Sequence, residues 1–134
     1  MPEPPPAVRG GNETILVAED ESSLRHLAST VLERLGYTVL LAEDGLEAVN
    51  LFNANQSQID LVILDLVMPR FGGRDALDRM RLIRPDLRAL FVTGYDDDAG
   101  RSLGVYAAIP GTTLLQKPYR VDMLGSRVRE MLDN

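Results

Sequence analysis

Apolar positions along this chain alternate between two patterns. Short unbroken runs read as buried strands: Ile15-Leu16-Val17-Ala18, Leu61-Val62-Ile63-Leu64, Leu90-Phe91-Val92 and Leu114-Leu115. Between them the apolar residues recur at helical spacing. Leu24, Leu27, Ala28, Val31, Leu32 and Leu35 form one stripe, and Gly36 stops it. Tyr37–Ala42 predicts a second strand, and Asp44 caps a helix carrying Leu46, Val49 and Phe52. Ile59–Leu64 is the third strand. Gly72-Gly73 opens a helix with Leu77, Met80 and Ile83 that must stop before Pro85. Arg88–Val92 and Leu114–Gln116 complete the strands, and Val121, Leu124, Val128, Met131 and Leu132 mark a closing helix. Segment 96–113 holds Gly100, Gly104, Pro110 and Gly111, so any helix there is short or mobile.

Strands alternating with helices predict an α/β fold with a parallel sheet and helices on both faces. Five strands with these crossings suit a doubly wound, flavodoxin-like sheet of order 2-1-3-4-5. Right-handed crossovers then bring all the strand carboxyl ends to one rim, where ligands of such sheets bind. Residues 1–13, with Pro2, Pro4, Pro5, Pro6, Gly10 and Gly11, read as a linker or disordered arm ahead of a domain over 14–134.

That rim carries an unusual set of polar residues. The first apolar run meets Glu19-Asp20, the third meets Asp65, the fourth meets Thr93, and the fifth meets Lys117. Core packing would not select a carboxylate such as Asp65 at the exit of a buried strand. Three carboxylates brought together raise one another's pKa unless a cation intervenes. Hard oxygen ligands of this kind suit Mg²⁺, which keeps several waters and accepts phosphate oxygens. Lys117 adds an ammonium and Thr93 a hydroxyl. A carboxylate nucleophile, a divalent metal, a lysine and a hydroxyl are the parts needed to make an aspartyl phosphate.

Composition narrows the setting. A chain of 134 residues is long enough for one domain with a real core. It has no cysteine, no apolar run long enough to span a bilayer and no visible signal peptide, so a cytoplasmic protein without membrane insertion is expected. The net charge of −6 argues against direct nucleic-acid binding.

Four motifs carry a resemblance: Ile15-Leu16-Val17-Ala18-Glu19-Asp20-Glu21, Leu64-Asp65-Leu66-Val67-Met68-Pro69, Val92-Thr93-Gly94 and Gln116-Lys117-Pro118-Tyr119. Together, in this order at the ends of strands 1, 3, 4 and 5, they resemble the receiver domain of two-component response regulators over residues 14–132. The wording Thr93-Gly94-Tyr95 with Lys117-Pro118-Tyr119, after Arg9-Gly10-Gly11-Asn12-Glu13-Thr14, looks most like receivers at the C-terminus of hybrid histidine kinases. The resemblance implies that Asp65 is the phosphoacceptor. Asp20 would bind Mg²⁺ directly, Glu19 directly or through water, and the Val67 carbonyl would be a further ligand. Thr93 and Lys117 would hold phosphoryl oxygens, with a cis Lys117-Pro118 bond, and Gly94 would leave the pocket open. The implied partner is a histidine kinase or a histidine phosphotransfer protein, with a weak homodimer as a further expectation. The family often has an aromatic switch three residues before the lysine. Here that position is Leu114, so the usual aromatic readout is not expected.

Plainer readings stand beside these. Glu19-Asp20-Glu21 could cap the first helix, Thr93 could simply end a strand, and Asp96-Asp97-Asp98 reads as a solvated run. His26, the only histidine, lies on the polar side of the first helix and reads as a surface residue. Two rival functions remain. An aspartyl phosphatase of the haloacid dehalogenase type wants an aspartate two residues after the nucleophile, where Val67 stands. A receiver-like binding module would be favoured if an acidic residue or Lys117 were missing. Val67 cannot orient an attacking water and Tyr95 could shield a phosphoryl group, so slow self-hydrolysis is expected.

Overall fold

A computed structural model describes residues 8–94 and 109–134. Five parallel strands form one sheet in the order β2-β1-β3-β4-β5. They are β1 Thr14–Ala18, β2 Thr38–Ala42, β3 Ile59–Asp65, β4 Ala89–Thr93 and β5 Thr112–Gln116. The helices among the described residues are α1 Ser22–Arg34, α2 Gly45–Asn55, α3 Gly73–Arg81 and α4 Val121–Asp133. The expected strand order and every expected strand are therefore present, with ends shifted by a residue or two. The short helix expected within 96–113 falls largely on residues outside the described ones.

Alternation along the strands sorts the core into two layers, because successive strand side chains point to opposite faces. Leu16, Val62, Leu64, Ala89 and Phe91 face α2 and α3, where they meet Phe52, Leu77 and Met80. Ile15, Val17, Leu61, Ile63, Leu90 and Val92 face α1 and α4, where they meet Leu32, Leu124 and Val128. Strands β1 and β3 sit mid-sheet with helices on both faces, which explains their unbroken apolar runs. Local signals set the helix ends. The Asp44 carboxylate accepts the Glu47 N–H at 2.8 Å and caps α2. Gly36 follows α1 with φ 101°, a left-handed conformation that side chains with a Cβ avoid. Three apolar positions of the helical stripes are exposed, Val121 at the start of α4 among them. Leu27 is over a third exposed, and Ile83 lies beyond the end of α3 and is exposed.

Of the expected arm, residues 1–7 lie outside the described residues, whereas residues 8–13 lie against the fold. The Gly11 N–H donates to the Leu35 carbonyl at 3.1 Å. Arg129 of α4 holds both carboxylate oxygens of Glu13, at 2.6 and 3.1 Å, and the Gly10 carbonyl at 3.2 Å. Arg9 pairs with Asp133. This strap ties the end of α4 to the start of β1 and the end of α1.

Candidate functional site

Parallel topology delivers the strand ends to one rim. Ala18 pairs in register with Leu64, Asp65 with Val92, and Thr93 with Gln116. Glu19 therefore follows β1 beside the end of β3, Asp65 ends β3, Thr93 ends β4, and Lys117 follows β5. Backbone bonds extend the ladder past the strands. The Lys117 N–H donates to the Thr93 carbonyl at 2.8 Å, and the Leu66 N–H to the Val92 carbonyl at 2.9 Å.

Side chains close the site across these ends. The Lys117 ammonium lies 2.7 Å from Glu19 Oε1 and 2.8 Å from Asp65 Oδ2. The second Asp65 oxygen accepts the Val67 N–H at 3.2 Å, and Glu19 Oε2 accepts the Glu21 N–H at 3.2 Å. Glu19 and Asp65 are buried, Asp20 is exposed, and all three carboxylates present oxygens within 4.8 Å of one another. Thr93 is fully buried at the end of β4. Val67 joins the site through its backbone, while its side chain is 62 % exposed. The Lys117-Pro118 bond is cis, as the resemblance implied.

The electrostatics arise from that crowding. Burial pushes the Glu19 carboxyl up to about 7, its neighbour Asp65 adds to the rise, and Lys117 opposes it. Burial alone would lower the Lys117 ammonium, but its bonds to Asp65 and Glu19 carry it above the ordinary lysine value. One ammonium thus serves two buried carboxylates with a third, Asp20, close by, an oxygen-only donor set short of positive charge. Those residues fit a hard divalent cation with open positions. Backbone packing keeps Asp65 in place: a Cβ on Gly73, the first residue of α3, would sit 2.6 Å from the Asp65 carbonyl oxygen.

Beside the acidic pocket runs a groove of about 540 Å³, lined by Leu24, Leu27, Gly94, Lys117, Pro118 and Tyr119 with Glu21 at its edge. It takes up Leu24 and Leu27, two of the α1 stripe residues that are not in the core. Tyr119 packs on the α1/α4 layer, and burial raises its phenol above the ordinary tyrosine value. Leu114 packs partly buried on the opposite layer, beside α2 and α3. Tyr95 and Asp96-Asp97-Asp98 fall outside the described residues. Arg25, by contrast, has no motif signal in the sequence yet lies at the site. Its guanidinium donates to the Glu19 carbonyl at 2.8 Å. The only clue to it is an arginine in the first turn of a helix, where side chains point back toward the N-terminus.

A sequence profile of the response regulator receiver domain matches residues 15–129. The chain belongs to this receiver family. It is 36 % identical over 124 residues to the sensor kinase CckA of Brucella abortus (strain 2308), covering 92 % of this chain and 13 % of the kinase. It is 35 % identical over 118 residues to the response regulator MprA of Mycobacterium sp. (strain KMS), covering 88 % of this chain and 50 % of the regulator. The receiver thus spans half or less of these relatives. Among solved structures, the receiver domain of hybrid histidine kinase CckA superposes with TM-score 0.75 at 34 % identity, covering 89 % of this chain and 98 % of that one. A receiver domain protein from Clostridium thermocellum gives TM-score 0.79 at 30 % identity over 90 % of this chain and 94 % of that one. Among the described residues no helix is long and apolar enough to cross a membrane.

Proposed function

We propose that this receiver accepts a phosphoryl group on Asp65, in a Mg²⁺-dependent transfer from the phosphohistidine of a histidine kinase or histidine phosphotransfer protein. One observation carries the reading: a single ammonium, Lys117, bridges the buried Glu19 and Asp65 carboxylates beside a third carboxylate, Asp20. Glu19, Asp20, Asp65 and the Val67 carbonyl would hold Mg²⁺, which supplies positive charge to phosphoryl oxygens when bound. The chain's own groups divide the remaining work. An Asp65 carboxylate oxygen forms the new P–O bond as the bond from phosphorus to the donor imidazole breaks, and the imidazole keeps that electron pair. The Val67 N–H and the Lys117 ammonium fix the orientation of the carboxylate before transfer. Lys117 then follows the charge to a phosphoryl oxygen, and the Thr93 hydroxyl takes another, so positioning and electrostatics do most of the catalysis. The proposal places the receiver in the cytoplasm, whether within a hybrid histidine kinase or as a separate response regulator.

The test is incubation with a small-molecule phosphodonor and Mg²⁺, followed by intact-mass measurement. The expected result is a gain of one phosphoryl group that needs the metal and is lost in Asp65→Asn. An equal gain in Asp65→Asn, or one indifferent to Mg²⁺, would overturn the assignment.

A further inference from the structure

The loop that carries Glu19 and Asp20 has a brace reaching back from α1. Arg25 sits in the first part of that helix with its side chain 17 % exposed. Its Nη1 donates to the Glu19 carbonyl at 2.8 Å and lies 3.5 Å from the Asp20 carbonyl. Its Nη2 stands 3.5 Å from the Glu43 carboxylate, in the turn after β2. The same loop is tied to that turn region by the Glu19 N–H, which donates to the Ala42 carbonyl at 3.0 Å. One guanidinium therefore holds the Glu19 carbonyl, stands beside the next one at Asp20, and faces the neighbouring strand's exit at Glu43.

The two carboxylates depend on it unequally. Glu19 is buried and has independent side-chain anchors in Lys117 and the Glu21 N–H. Asp20 is exposed, and its carbonyl is reached by Arg25 at 3.5 Å, while the N–H of the same peptide, that of Glu21, goes to the Glu19 carboxylate. We propose that Arg25 is a positioning residue for the cation site, holding the 19–20 peptides so that Asp20 faces the Glu19 and Asp65 carboxylates. The inference rests on the Mg²⁺ reading above. It adds a residue that touches neither the cation nor the phosphoryl group and acts only through the loop backbone. Groups that orient metal ligands in this way typically contribute 10- to 100-fold to metal affinity.

The sign of the effect separates positioning from simple charge. Arg25 is a cation near a cation site, so deleting its charge should tighten Mg²⁺ binding if electrostatics alone were at work. Loss of positioning predicts the opposite. The experiment is calorimetric titration of Mg²⁺ into wild type, Arg25→Gln and Arg25→Lys, with thermal melts of each in the absence of metal. The expected result is that Arg25→Gln binds Mg²⁺ about 10-fold more weakly despite losing a like charge. Arg25→Lys, which keeps the charge but not the fork, should lie between the two. Phosphorylation of Arg25→Gln should recover at saturating Mg²⁺, since Asp65 and Lys117 are untouched. An unchanged or tighter Mg²⁺ affinity in folded Arg25→Gln overturns the proposal. Should Arg25→Gln not fold, an unchanged affinity in Arg25→Lys overturns it and a several-fold loss supports it. Absence of Mg²⁺ binding by wild type would instead remove the proposed function itself.

Discussion

Replacing Lys117 by Met tests the electrostatic account of the site most directly. The change keeps the unbranched stem of the side chain, one atom shorter, and deletes its charge, leaving Glu19 and Asp65 as adjacent buried carboxylates with 7 % and 5 % of their side chains exposed. Removing one partner of a buried ion pair costs about 3–5 kcal/mol, because the remaining charge is left uncompensated. Glu19 has an escape, since its carboxyl already sits at about 7 and can take up a proton. The lower end, about 3 kcal/mol, is therefore expected near neutral pH. For a domain of 134 residues that corresponds to a fall in Tm of about 10 °C. The penalty should grow with pH. A carboxyl raised above its ordinary value contributes stability below that value, and the contribution is lost as pH rises through the folded value. Metal-free wild type should thus lose stability as pH rises from about 4.5 toward about 7, and the variant more steeply. Mg²⁺ should reverse the ranking of effects: it binds without competition from a like charge in Lys117→Met and stabilises that variant more than wild type. The assay is a set of thermal melts at pH 6 and pH 8, with and without Mg²⁺. A variant that melts with wild type at both pH values, or that gains less from Mg²⁺ than wild type does, would refute the reasoning.

Other consequences are simpler to state. Glu13→Gln should weaken the strap by about 1–2 kcal/mol, since it replaces a charge-assisted pair of hydrogen bonds donated by Arg129. Arg129 holds the Glu13 carboxyl below its ordinary value, so the stability difference between wild type and Glu13→Gln should be full above about pH 4.5 and shrink as pH falls further; a difference constant down to pH 3 would count against it. Arg70 has φ 72° and only an exposed, 3.5 Å pairing with Asp44 to compensate, so Arg70→Gly should raise stability by about 0.5–1 kcal/mol in denaturant melts, and a loss would contradict the backbone argument. Gly73→Ala should lower the phosphorylation rate as well as Tm, because its Cβ collides with the Asp65 backbone; normal phosphorylation with a lowered Tm would limit the contact to packing. The Val67 side chain has no polar atom to align a water, so Val67→Asn should shorten the lifetime of the aspartyl phosphate, and an unchanged lifetime would place the control of hydrolysis elsewhere.

The two poles of the sheet differ in how far the sequence reveals them, and the reason is physical. At the carboxyl pole, topology does the assembling. Once β1, β3, β4 and β5 are parallel and in register, the residues just after them converge whatever lies between. Glu19, Asp20, Asp65, Thr93 and Lys117 are therefore legible as the polar residues at the carboxyl ends of the apolar runs. The runs themselves are legible because β1 and β3 are covered on both faces. Leu27 and Ile83 mislead for the converse reason: helical spacing reports a stripe, not what covers it, and Leu27 lines the groove beside Tyr119 instead of the core. At the opposite pole nothing periodic marks the contacts. Glu13 and Arg129 lie 116 residues apart, and Gly10-Gly11 looks in composition like a linker. The docking of 8–13 depends on the end of α1, Tyr37 and α4 arriving together, which only the folded chain determines. Arg25 belongs to the same class. Its role comes from backbone carbonyls, which every residue has and no motif records. A site whose ligands are side chains at strand ends can be read from the sequence, whereas the braces that hold those ligands through the backbone emerge only from the structure.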